Sequence, residues 1–106
     1  MTDAFTLDDL AALIASRAAA TADASYTRSL IDGGVARTGK KFGEEAFELV
    51  IAAMQQDRAA IRAEAADVLY HLMVLLQVGG VPLQDVVQEL ARRTQQSGHA
   101  EKASRK

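Results

Sequence analysis

A chain of 106 residues, 49% hydrophobic and with a formal net charge of −2, is sized for one domain with a core and lacks the broad basic footprint that holds nucleic acid. It has no cysteine, which excludes disulfides, thiolate zinc sites and cysteine nucleophiles. The acidic start MTDAFTLDDL lacks the basic region and long apolar run of a signal peptide, and the longest apolar run, Val68 to Leu76 broken by His71, is too short to span a bilayer, so a cytoplasmic location without a membrane partner is expected.

Alanine, leucine and valine dominate, with a single proline and few aromatics, which is a helical composition. Thr6 with Asp9 forms a capping-box pattern, and a first helix is predicted from there to about Ala20, its stripe being Leu7, Leu10, Leu13 and Ile14. A more polar segment follows, with a short helical turn from Ser25 through Leu30 and Ile31 that Gly33-Gly34 stops. A long helix is predicted over Val35 to about Gln56, with Gly39 and Gly43 weakening its first half. Asp57 N-caps the next, Arg58 to about Val78, which Gly79-Gly80 ends. Pro82 opens a last helix to about Thr94, with Leu83, Val86, Val87 and Leu90 as its apolar face. No strand-like alternation occurs. The expectation is an all-α bundle of four to five helices over residues 1–94 and a polar, basic tail over 95–106. A chain this short buries a modest fraction of its surface, so pairing with a second copy would complete its core.

Two acidic groups interrupt the apolar text: Glu44, Glu45 and Glu48, then Glu64 and Asp67. At about 100° per residue the first three share an arc of roughly 100°, with Lys41 inside it and Lys40 beside it. Glu64, Asp67 and His71 occupy an arc of roughly 60° on a helix that is otherwise apolar on nearly every side. The turn at Gln56-Asp57 is short, so the two helices run antiparallel. Glu48 lies nine residues before Asp57, and Glu64 and Asp67 lie seven and ten after it, so at roughly 1.5 Å per residue their heights agree within about one turn.

Buried carboxylates are costly unless paired or bound to a cation, which makes a divalent metal the first hypothesis. The plainer readings are a solvated stripe paired with Lys40 and Lys41 for the first group, and a buried ion pair for Glu64 and Asp67. His71 alone reads as a hydrogen-bonded core or pocket histidine, and Tyr70 as a packed ring with its hydroxyl bonded at the core's edge. Oxygen donors suit Mg²⁺ or Mn²⁺ rather than zinc, and no histidine follows a glutamate by three, as a di-iron bundle would need. An open carboxylate cage suits a phosphate-bearing substrate. Arg28, Arg37, Lys40 and Lys41 lie upstream to meet its charge, each with solvent exposure as its ordinary alternative.

At these residues the chain resembles a family. Glu45-Ala-Phe-Glu48 followed by Glu64-Ala-Ala-Asp67 is similar to the paired acidic helices of the all-α, MazG-like nucleotide pyrophosphatases. Ser25-Tyr26-Thr27, Leu30, Gly39-Lys40-Lys41 with Glu44, then Leu69-Tyr70-His71, Arg92-Arg93, Ser97-Gly98 and Glu101-Lys102 narrow the likeness to the phosphoribosyl-ATP pyrophosphatases. Phe42 stands at a usually aliphatic position.

The resemblance implies Mg²⁺-dependent hydrolysis of phosphoribosyl-ATP to phosphoribosyl-AMP and pyrophosphate, the second step of histidine biosynthesis. It also implies a helical homodimer whose sites are built partly across the interface. It puts the metal on Glu45, Glu48, Glu64 and Asp67, makes Glu44 a further ligand or the base that orients water, and turns Lys40 and Lys41, with Arg28 and Arg37 as weaker candidates, toward the phosphates. The tail from Ser97 to Lys106 would close over the substrate. Lacking cysteines for the zinc-dependent cyclohydrolase often fused in front, the chain is expected to be the stand-alone form. Two alternatives stand beside this: a MazG-like housecleaning nucleoside triphosphate pyrophosphatase, and a non-catalytic helical dimerisation module.

Overall fold

The computed structural model describes residues 4–21 and 25–95. They form five helices, α1 Leu7–Ala18, α2 Tyr26–Asp32, α3 Gly34–Met54, α4 Arg58–Gly79 and α5 Leu83–Thr94, and no strand occurs among the described residues. The all-α expectation holds, with helix ends within two residues of those read from the sequence. Beyond Gln95 the tail lies outside the described residues.

The caps explain why the helices start where they do. Asp9 N–H donates to Thr6 Oγ1 at 3.0 Å and Thr6 N–H donates to Asp9 Oδ2 at 3.0 Å, a complete capping box. Arg28 N–H donates to Ser25 Oγ at 3.1 Å, and Ala60 N–H donates to Asp57 Oδ1 at 3.1 Å. Gly34, with φ of 73°, turns the chain so that α3 begins directly after Gly33. Gly39 and Gly43 do not interrupt α3, whose helical assignment runs unbroken through both.

Ile14 from α1, Leu30 from α2, and Met73 and Val74 from α4 form the buried core, flanked by Leu10, Ile31, Tyr70, Leu76 and Leu83. Each such aliphatic side chain stabilises the fold by roughly 1.5–3 kcal/mol when fully buried. α3 lies along α4 and adds Thr38 and Ala52 to the interior. α5 leaves α4 at 110°. It joins the body through Leu83 and through Gln84 Nε2, which donates to Asp8 Oδ1 at 2.7 Å. No single helix among the described residues is long and apolar enough to cross a membrane.

One expectation needs correction. The apolar surroundings of Glu64 and Asp67 suggested that both are buried, yet Asp67 is exposed and Glu64 only half-buried. Within one chain α1, α2 and α3 cover part of α4 and leave the rest open, so Leu69 is 40% exposed. α3 is likewise bare along Phe47, Val50, Ile51 and Met54, the last 78% exposed.

Candidate active site

The α3–α4 hairpin places the acidic residues. Its turn is a tight C-cap: Gln56 N–H donates to Ala53 O at 3.1 Å, Asp57 N–H donates to Ala52 O at 3.4 Å, and Gln56 takes the left-handed conformation between them, with φ of 57°. With the turn so short, residues on the last turns of α3 stand level with the first turns of α4. Glu45, Glu48 and Glu64 each offer a carboxylate oxygen, and these atoms lie within 4.8 Å of one another. The negative charge of Glu45, and then that of Glu64, holds the Glu48 carboxyl above its ordinary value of 4.5, with Lys41 opposing.

The remaining predicted residues divide. Asp67 and Glu44 stand on the same two helices but outside this three-carboxylate group, both exposed. Lys41 Nζ lies 3.8 Å from Glu44 and 3.7 Å from Glu45, bridging Glu44 to the cluster. Lys40 is exposed one residue before it. Arg28 is committed elsewhere in part: Nε donates to Asp32 at 2.8 Å and Nη1 to the Ala18 carbonyl at 2.7 Å, which ties α2 to the end of α1. The Arg37 stem lies over Gly33, where an added Cβ would meet its Cδ at 2.5 Å; the residue is otherwise exposed.

His71 is buried, and its Nδ1 lies 2.8 Å from the Asp67 carbonyl. A carbonyl only accepts, so Nδ1 carries a proton, while Nε2 is buried with no partner among the described residues. Tyr70 packs edge-on against the imidazole at 5.1 Å and stacks with Tyr26 at 6.4 Å, and its hydroxyl is hydrogen-bonded to that of Thr27. The aromatic group therefore locks α2 onto α4.

Beside the carboxylates a cavity of about 200 Å³ opens between the helices, lined by Glu48, Ile51, Ala52, Gln55, Ala60 and Glu64. Sequence reasoning missed its non-acidic members. Gln55 carried a faint signal, since seven residues after Glu48 is the same helix face. Another cavity, of about 290 Å³ at the junction of α1, α4 and α5, holds none of the predicted site residues. Three convergent carboxylates, a lysine at their edge and an adjoining cleft can hold a hard divalent cation against an anionic substrate.

The family model for phosphoribosyl-ATP pyrophosphohydrolase matches residues 7–94. The phosphoribosyl-ATP pyrophosphatase of Methylobacterium radiotolerans is 59% identical over 103 residues, covering 97% of this chain and 96% of that protein. Those of Azorhizobium caulinodans and Agrobacterium fabrum are 57% and 55% identical, over 97% and 96% of this chain and 94% and 95% of theirs. A helical hairpin that gathers three carboxylates, together with likeness of this extent, establishes that the chain belongs to the phosphoribosyl-ATP pyrophosphohydrolase family.

Proposed function

We propose that the protein hydrolyses phosphoribosyl-ATP to phosphoribosyl-AMP and pyrophosphate, as a Mg²⁺-dependent cytoplasmic enzyme of histidine biosynthesis. The observation that carries this is the meeting of Glu45, Glu48 and Glu64 within 4.8 Å beside a cleft, in a chain of this family. The donor set fits the cation: all oxygen, closely spaced, and with Glu48 carrying the strain of like charge that a cation relieves. Glu45, Glu48 and Glu64 would hold Mg²⁺, or Mn²⁺ in its place, with Asp67 as the fourth carboxylate. Bound there, the cation neutralises phosphate oxygens and lowers the pKa of water.

The chain's own groups supply the rest. Lys40 and Lys41 bind the phosphates of the leaving pyrophosphate, and Arg37 adds charge upstream. Arg28 serves mainly to fix α2, since two of its donors are already taken. Glu44, exposed and next to Lys41, orients the attacking water and accepts its proton. The protein acts as a homodimer in which Phe47, Val50, Ile51 and Met54 meet their counterparts. Ile51 borders both this stripe and the cleft, so each partner edges the other's site.

The deciding assay is pyrophosphate release from phosphoribosyl-ATP with and without Mg²⁺. Release only with the cation supports the reading, and none in either condition overturns it. Faster turnover of dCTP, dUTP or XTP would transfer the same carboxylates to a housecleaning role.

A further inference from the structure

We infer that Tyr26 is the stacking platform for the base of the substrate, and that the Tyr26–Tyr70 pair selects a purine ring that carries positive charge. The inference rests on the hydrolase reading above and adds the residue that tells phosphoribosyl-ATP from ordinary adenine nucleotides. Tyr26 opens α2 and is 52% exposed, yet its ring is held in place. It lies 6.4 Å from the Tyr70 ring, tilted by only 15°, and 6.4 Å from the His71 imidazole, edge-on at 80°. Tyr70 is fixed in turn by its own edge contact with His71 at 5.1 Å and by its hydrogen bond to the buried Thr27 hydroxyl. Ser25 anchors the start of α2 by accepting from Arg28 N–H. With Tyr70 behind one face of the Tyr26 ring, the other face is turned to solvent. Covering His71 uses only the packed side; an aromatic face held rigid and left bare suits a planar ligand.

The platform stands within a nucleotide's reach of the carboxylates. Glu64, Asp67 and Tyr70 follow one another at three-residue steps along α4, so each is the surface neighbour of the next. Tyr70 therefore lies about 9 Å along the helix from Glu64. About six covalent bonds of roughly 1.5 Å join the α-phosphorus of a nucleotide to its base, a reach of about 6–8 Å. A phosphate held at the carboxylates brings its base to the tyrosine pair. Because the exposed face of Tyr26 is an open surface and not an enclosed slot, a ring bearing a second ribose phosphate lies on it as readily as a bare one.

The chemistry of the substrate supplies the selectivity. In phosphoribosyl-ATP the second ribose is joined to N1 of the adenine ring. An adenine substituted at N1 keeps its 6-amino group only by carrying a positive charge, and that form prevails near neutral pH. The ring of an ordinary adenine nucleotide is neutral there. The π face of tyrosine is negative and attracts a cation laid over it. Both rings stack on Tyr26, but only the substituted one gains this attraction as well, strengthened by the second electron-rich ring of Tyr70 directly behind.

The test compares binding of 1-methyladenosine 5′-monophosphate and adenosine 5′-monophosphate, each with Mg²⁺ near neutral pH, by calorimetry on the full chain. The two differ by one methyl group and the charge it brings to the ring. Wild-type protein should bind the methylated nucleotide at least about fivefold more tightly. Tyr26→Leu should cut that preference below about twofold, and Tyr26→Phe, which keeps the ring, should retain it. In steady-state turnover of phosphoribosyl-ATP, Tyr26→Leu should raise KM about tenfold with a much smaller change in kcat. Equal binding of the two nucleotides by wild-type protein, an unchanged preference in Tyr26→Leu, or its loss in Tyr26→Phe would overturn the inference. The wild-type comparison needs no variant, so it decides the matter even where Tyr26→Leu loosens α2. These binding results stand apart from catalysis: absence of pyrophosphate release by wild-type protein sinks the hydrolase reading, while the two nucleotides still decide what Tyr26 recognises.

Discussion

Gln56 and Gly80 occupy the same left-handed position in matching C-caps, with φ of 57° and 73°. In each, the N–H that follows reaches back to the last full turn, Asp57 to Ala52 O and Val81 to Leu76 O. Glycine takes this conformation without steric cost, whereas glutamine does not. Gln56→Gly should therefore raise stability by about 0.5–1 kcal/mol, measured by urea unfolding. A loss of stability would mean that the Gln56 side chain makes a compensating contact.

The Thr27–Tyr70 hydrogen bond joins a fully buried hydroxyl on α2 to a ring that flanks the core. Tyr70→Phe strands the Thr27 hydroxyl and should cost about 1–2 kcal/mol. Thr27→Val should cost a similar amount alone but far less in the Tyr70→Phe background. A double-mutant cycle reads the coupling, expected near 1 kcal/mol. Additive losses would show that the two hydroxyls do not depend on each other.

The acidic cluster sets a pH dependence with a definite sign. Glu48 is harder to ionise in the folded chain than in the unfolded one, so it contributes least cost below its ordinary value of 4.5 and destabilises as pH rises through its raised value. Glu89 behaves oppositely: Arg92 and Arg93 pull it down to about 2, so its contribution is present above its ordinary value and lost as pH falls toward 2. In EDTA, the Tm advantage of Glu48→Gln over wild type should grow between pH 4.5 and 7. Adding Mg²⁺ should reverse the order, since the glutamine variant has one ligand charge fewer. Glu48→Gln should also cut the Mg²⁺-dependent rate at least about tenfold. If neither Tm nor rate changes, Glu48 does not belong to the site.

Phe47, Val50, Ile51 and Met54 recur at helical spacing and are all exposed in the single chain. A two-fold interface presents each substitution twice. Met54→Lys should weaken self-association at least about 100-fold, read by sedimentation velocity. A wild-type chain that sediments as a monomer at micromolar concentration would rule the interface out.

Much of the fold was readable because its signals are local. Thr6 with Asp9, Asp57 and Gly80 act through neighbours within a few residues, and periodicity supplied the helices between them. The convergence of Glu48 with Glu64 was readable too, because a short turn fixes relative height. Coverage was not. A helix wheel shows which faces of α4 are apolar, but not that one chain has too few helices to hide them, so Asp67 was expected inside and lies outside. The Thr27 hydroxyl bond and the cavity at Gln55 depend on how helices distant in sequence come to rest, and no spacing rule contains that.

α5 touches the body mainly at its first two residues, Leu83 and Gln84, and then runs on with Val87 and Leu90 exposed. Cooperative protection should therefore be uneven. In the isolated chain, amide hydrogens along α5 should exchange with solvent early, through local opening, while those of α4 around Met73 and Val74 exchange only when the whole chain unfolds. The difference makes α5 an internal clock for assembly: any partner that covers Val87 and Leu90 will announce itself first as a slowing of exchange there.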